Sequence, residues 1–165
     1  MLATVAPMAT ACAQSDGGEA ERRAAMLRMV EGVKADYPDV RTISAEGLIA
    51  ALATEDILLV DVRSDEERGV STIPGAISAR DFEARLAELT VEGRTVVAYC
   101  TIGARSSAYA RRMAGRGVDM LNLEGSVLAW THAGGEFMAP TGPTRRLHVY
   151  GRRWNLAADG YETVW

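Results

Sequence analysis

The residues of this chain best placed for chemistry are Cys100-Thr-Ile-Gly-Ala-Arg-Ser106. An apolar run from Thr95 to Tyr99 ends on the cysteine, and a run with helical spacing begins at the arginine, so the thiol falls in a strand-to-helix turn. The first N–H groups of a helix have no intrahelical partner and carry the positive end of its dipole, so they favour an anion. A thiolate at Cys100 is such an anion. Gly103 is expected to let the backbone wrap the sulfur without a Cβ in the way, and Arg105 to add a fixed positive charge with a planar fork of donors. Surroundings of this kind lower a thiol pKa from about 8.5 to roughly 3.5 to 7.5. Thr101 and Ile102 are placed at the pocket mouth, Ala104 completes the turn, and Ser106 follows as a supporting residue.

Two further stretches accompany this loop. Upstream stands Leu59-Val-Asp-Val-Arg63, followed by Glu67 and Ile73-Pro-Gly-Ala-Ile77; downstream stands Leu123-Glu-Gly-Ser-Val-Leu-Ala-Trp130. In this order, and with the loop in the form Cys-x-x-Gly-x-Arg, residues 40 to 137 resemble the rhodanese family of sulfurtransferases. The resemblance implies a three-layer α/β sandwich, with a central parallel sheet and helices on both faces. It also implies Cys100 as the catalytic nucleophile and Thr101, Ile102, Gly103, Ala104 and Arg105 as the substrate-binding loop. The thiolate would take the outer sulfur of a donor such as thiosulfate or a persulfide, and cyanide, a thiol or a protein sulfur acceptor would then remove it, with ping-pong kinetics. Such chemistry requires no metal, organic cofactor or separate general base.

Asp61 either orients the loop, as the equivalent motif aspartate does in the family, or holds Arg63 or a backbone amide. Arg63 and Glu67 are expected to form an ion pair near the pocket. The rival chemistry on this kind of fold is that of phosphatases and arsenate reductases, whose loops carry arginine one position later. Here that position is Ser106, and Tyr99 stands where the phosphatases usually carry histidine. A noncatalytic binding module is a second rival; its usual mark is loss of the cysteine, and Cys100 is present. Redox exchange with Cys12 is a third.

The elements that must position these groups follow from periodicity. Helical spacing runs from Glu21 to Asp36, a short strand covers Val40 to Ile43, and Ser44 caps a helix over Ala45 to Ala53. Residues 57–62 read as a buried strand, 76–77 as a short strand, 81–89 as a helix, 95–99 as a central strand, 105–115 as a helix, 118–123 as a strand and 126–133 as a helix. Alternating strands and helices place a site at the carboxyl ends of the parallel strands, where Cys100 lies. His132 and His148 lack neighbouring ligands of a metal site, and Trp130 reads as core packing.

The 165 residues suffice for one domain, read as residues 21–139, with 1–20 as a leader or export-signal remnant and 140–165 as an extension packed on the domain. A net charge of -4 argues against nucleic acid as a primary partner. An uncharged start of small residues before Cys12 resembles the end of a bacterial lipoprotein signal but lacks its basic start and full apolar length. A cytoplasmic protein is therefore expected, with an envelope lipoprotein anchored through Cys12 as the alternative and membrane association only in that case. The final segment interleaves Arg145, Arg146, Arg152 and Arg153 with Tyr150, Trp154, Tyr161 and Trp165. Its aromatic residues are expected to pack on the domain while the arginines stay solvated; a peptide or nucleic-acid surface is the other reading.

Overall fold

The structure, a computed structural model, describes residues 13–90 and 93–165. Its elements run α1 (Ala13–Asp36), β1 (Thr42–Ile43), α2 (Ala45–Leu52), β2 (Ile57–Asp61), α3 (Asp65–Val70), β3 (Ile77–Ser78), α4 (Ala79–Ala84), α5 (Leu86–Leu89), β4 (Thr95–Tyr99), α6 (Ala104–Ala114), β5 (Leu121–Leu123) and α7 (Ser126–His132). Five strands pair in the order β1-β5-β4-β2-β3, all parallel. The long pairing is β2 with β4, from Ile57 opposite Thr95 to Asp61 opposite Tyr99, so both strands end level with each other just before Cys100.

Period-two alternation divides the core between the two faces. Leu59, Val97 and Tyr99 pack with Met26 and Val30 of α1, Leu48 of α2, and Val127 and Leu128 of α7. Val60, Val96 and Ala98 pack with Phe82 of α4, Leu89 of α5, and Tyr109 and Met113 of α6. The result is the three-layer α/β sandwich, with each buried aliphatic side chain stabilising it by roughly 1.5 to 3 kcal/mol.

Three local elements differ from the periodicity. The first helix begins at Ala13, well before Glu21, while Cys12 and residues 1–11 lie outside the described residues. Helix α3 was not apparent from hydrophobic spacing because it is short; its start is a capping box, in which Ser64 Oγ accepts from Glu67 N at 3.2 Å and the Glu67 carboxylate accepts from Ser64 N at 2.9 Å. The helix expected over residues 81–89 is two, α4 and α5, broken where Arg85 leaves helical geometry at φ -120° and ψ 25°.

The chain beyond α7 continues into the core. A hairpin of β6 (Phe137–Ala139) and β7 (Gly142–Thr144) leads to β8 (Arg146–His148), a 3-10 turn (Arg152–Trp154) and β9 (Glu162–Val164), which runs parallel to β8. Leu147, Val149 and Ala157 are buried in the same cluster as α1 and α7. Ser71 Oγ donates to Arg146 O at 2.7 Å, and Arg22 of α1 donates to Ala157 O at 3.0 Å, so the residue after α3 and the first helix are both tied to this segment. Because Leu147 is fully buried, Leu147→Ala should lower unfolding free energy by about 2 to 5 kcal/mol. Denaturant titration measures it; a loss under about 1 kcal/mol would mean that the segment is not an integral part of the core.

Candidate active site

Cys100 follows β4 at the carboxyl edge of the sheet, and its backbone is held by the neighbouring helix. Cys100 N donates to Ser126 Oγ at 3.0 Å, while Val127 N and Leu128 N of α7 donate to Cys100 O and Thr101 O, each at 3.3 Å. With those carbonyls occupied, the loop turns its N–H side to the sulfur, and Gly103 N lies 3.2 Å from Cys100 Sγ. Gly103 adopts φ +114°, a conformation open to glycine. A Cβ there would meet Asn122 Nδ2 at 3.2 Å and Val33 Cγ1 at 3.7 Å, so the glycine serves backbone conformation and not clearance around the sulfur.

Ser106, in the first turn of α6, places its hydroxyl 3.5 Å from Sγ, 3.2 Å from Gly103 O and within hydrogen-bond distance of Asn122 Oδ1, so its single proton is shared among these acceptors. Ser126 Oγ lies at 4.0 Å from the sulfur. Cys100 is 1% exposed. Burial alone pushes the thiol up, but the Ser106 hydroxyl and amide, the Arg105 charge and the Gly103 N–H outweigh it and hold the thiol below its ordinary value.

Arg105 does not stand free as a donor fork. Its Nη1 and Nη2 meet the two carboxylate oxygens of Glu67, each at 2.7 Å, and Nη2 also donates to Thr101 Oγ1 at 3.0 Å. Glu67 is 3% exposed; burial raises its carboxyl, yet Arg105 and the Ser64 amide bring it down to about 2. The ion pair expected between Arg63 and Glu67 is therefore not formed, because Glu67 sits in the first turn of α3 facing α6. Arg63 instead donates to Asp61 through Nε at 3.0 Å and Nη2 at 2.7 Å, and from Nη2 to Ser71 O at 2.7 Å. Tyr99 OH donates to Asp61 Oδ2 at 2.8 Å and accepts from Ile73 N at 3.1 Å. Asp61, Arg63 and Tyr99 thus form a buried polar fixture that joins the ends of β2 and β4 to the connection before β3.

Cys100, Thr101, Ile102, Ala104 and Arg105 line one cavity of about 140 Å³, together with Tyr150 and Trp154. The last two come from the end of the chain, some fifty positions away, and sequence spacing gave no sign of their proximity to the thiol. Ser126 and Asn122 also escaped notice, since a serine after Leu123-Glu-Gly125 reads as a helix start. Trp130 is core, its Nε1 donating to Glu136 O at 2.9 Å. His132 Nε2 lies 2.9 Å from Leu156 O, and His148 Nδ1 accepts from Tyr150 N at 3.0 Å. Among the described residues no group of three or more His, Cys, Asp and Glu side chains is placed to hold a metal ion, and no helix is long and apolar enough to cross a membrane.

Residues 44–133 match the Rhodanese-like domain family. A sulfurtransferase of Allochromatium vinosum is 37% identical over 107 residues, which span 62% of this chain and 99% of that protein. Among solved structures, the thiosulfate sulfurtransferase of Pseudomonas aeruginosa superposes with a TM-score of 0.55 at 26% identity, over 67% of this chain and 22% of its own. A Bacillus halodurans protein shares the fold with a TM-score of 0.52 at 24% identity, over 62% of this chain and 79% of its own.

The Glu67 carboxyl generates a pH prediction. Its folded value, about 2, lies below the ordinary 4.5, so its stabilisation is fully present above pH 4.5 and is lost as pH falls toward 2. Glu67→Gln should flatten the stability profile in that window and leave a weaker protein at pH 7. Unfolding titrations of both proteins between pH 2 and 5 test it, and equal slopes would remove Glu67 as the titrating group.

Proposed function

The chain belongs to the rhodanese-like family and is a sulfurtransferase, and we propose that its reaction runs through a persulfide on Cys100, loaded from thiosulfate or an organic persulfide and emptied by a thiol or cyanide. The observation that carries this is the position of Cys100 Sγ: at the entry to α6, 3.2 Å from the Gly103 N–H and at the base of a cavity. A thiolate there attacks the outer sulfur of the donor. With thiosulfate, a Cys100 S–S bond forms, the donor S–S bond breaks, and sulfite leaves with its electron pair. The persulfide keeps the negative charge of the thiolate it replaces, so the same N–H and hydroxyl donors serve both states. An acceptor nucleophile then takes the terminal sulfur, and the electron pair of that S–S bond returns to Cys100 as thiolate.

Each group has a distinct part. Gly103 N–H and the Ser106 hydroxyl stabilise the sulfur anion, Ser126 and α7 fix the Cys100 backbone, and the Arg105–Glu67 pair braces the outer side of the loop against α3. No general base is needed because the nucleophile is held as thiolate. The loop length disfavours the phosphatase reading: α6 begins at Ala104, with Arg105 committed to Glu67 and Ser106 at the following position.

Thiocyanate formation from thiosulfate or a persulfide should be lost in Cys100→Ser, and donor-treated wild type should gain the mass of one sulfur atom on the tryptic peptide holding Cys100. Equal turnover by the two proteins, or sulfur found on another residue alone, would overturn this mechanism.

A further inference from the structure

The wall opposite Cys100 is made by a part of the chain beyond residues 44–133, the span that matches the family. Tyr150 has φ +69°, a conformation that non-glycine residues rarely adopt and that carries roughly 1 to 3 kcal/mol of strain. The bond from Tyr150 N to His148 Nδ1 at 3.0 Å supports it. Tyr150 is 62% exposed, so the strain is not compensated by burying the residue in the core. What the conformation achieves is placement: the ring lies 4.9 Å from the Arg105 guanidinium, over the cavity. Beside it Trp154 is anchored on the core on one side, with the Arg153 guanidinium 5.0 Å from its ring.

These features change what the cavity can accept. Both terminal nitrogens of Arg105 are on Glu67, so that carboxylate offsets much of the charge a donor would otherwise meet. The rest of the lining is the Cys100 sulfur, Thr101, Ile102, Ala104 and two aromatic rings. A dianion such as thiosulfate would lose most of its water here and find few fixed donors in return, which is unfavourable. A donor whose sulfane sulfur is attached to a carbon body brings one charge at most and an apolar surface for the rings.

Building on the persulfide mechanism, we propose that Tyr150 and Trp154 determine donor specificity, selecting low-molecular-weight organic persulfides over thiosulfate. The loading step balances as Cys100–S⁻ plus R–S–SH giving Cys100–S–S⁻ plus R–SH: the donor S–S bond breaks, its outer sulfur passes to Cys100, and the inner sulfur leaves as thiolate with the electron pair and takes up the proton that the more acidic persulfide gives up. The leaving thiolate's body is the part that rests on the rings.

The test is the ratio of kcat/KM for benzyl persulfide to that for thiosulfate, at one fixed acceptor concentration. Wild type should favour benzyl persulfide. Trp154→Ala and Tyr150→Ala should each lower the ratio by about tenfold, and Trp154→Phe should recover part of it. Because Tyr150 is largely exposed, Tyr150→Ala remains informative even if Trp154→Ala fails to fold. A wild type that favours thiosulfate, or a ratio unchanged in the folded variants, overturns this inference while leaving the Cys100 mechanism intact. Turnover that survives Cys100→Ser overturns both.

Discussion

The mechanism proposed for Cys100 asks a sulfur that is 1% exposed to carry a negative charge, and that demand is the constraint on which the rest of the site depends. Water cannot solvate that charge, so the protein must replace that solvation with fixed donors or the thiol reverts to its neutral form. The replacement comes from a turn in which α7 takes the carbonyls of Cys100 and Thr101, leaving Gly103 N–H and the Ser106 hydroxyl on the sulfur side. None of these groups is charged. They act through orientation, and orientation requires that β4, α6 and α7 be held at fixed relative positions.

Two ion pairs, one buried and one partly exposed, do part of that holding and are not equivalent, while α7 is held by its own hydrogen bonds to Cys100 and Thr101. Asp61 and Arg63 are both fully enclosed and bonded also to Tyr99 and Ser71, so the pair locks the strand ends under the loop. Breaking such a pair leaves an uncompensated buried charge, which makes it a rigid fixture more than a source of net stability. Glu67 and Arg105 connect α3 to the first turn of α6 at the edge of the cavity, with the Arg105 side chain 37% exposed. That pair sets the shape of the loop and at the same time offsets part of the one full positive charge beside the thiol. Under the proposed donor preference, recognition falls to the shape and apolar character of the cavity, two of whose seven lining residues come from the far end of the chain.

The three-layer sheet was legible in the sequence because its strands are apolar runs and its helices carry period 3.6, as at Thr95 to Tyr99 and the α6 segment. The cysteine turn was legible because a strand, a glycine and a helix in sequence fix where the thiol must lie. Partner choice was not: Glu67 is four positions from Arg63 and thirty-eight from Arg105, yet it bonds to the latter, since the direction of a side chain on α3 depends on how that helix packs. Trp154 packs on the domain as expected and Tyr150 does not, being 62% exposed, and nothing local shows that both line the mouth of the site. Gly103 was read as making room for the sulfur; its φ shows that the need is conformational.

The central claim is that oriented hydroxyl and amide donors, with the Arg105 charge beside them, keep buried Cys100 ionised. Titration of thiolate ultraviolet absorbance, taken as the difference between wild type and Cys100→Ser, measures it directly, with Ser106→Ala run alongside. The account predicts a wild-type midpoint below the ordinary thiol value of about 8.5 and a higher midpoint in Ser106→Ala. A wild-type midpoint at or above that ordinary value would contradict it, because burial would then have prevailed over the donors the loop provides.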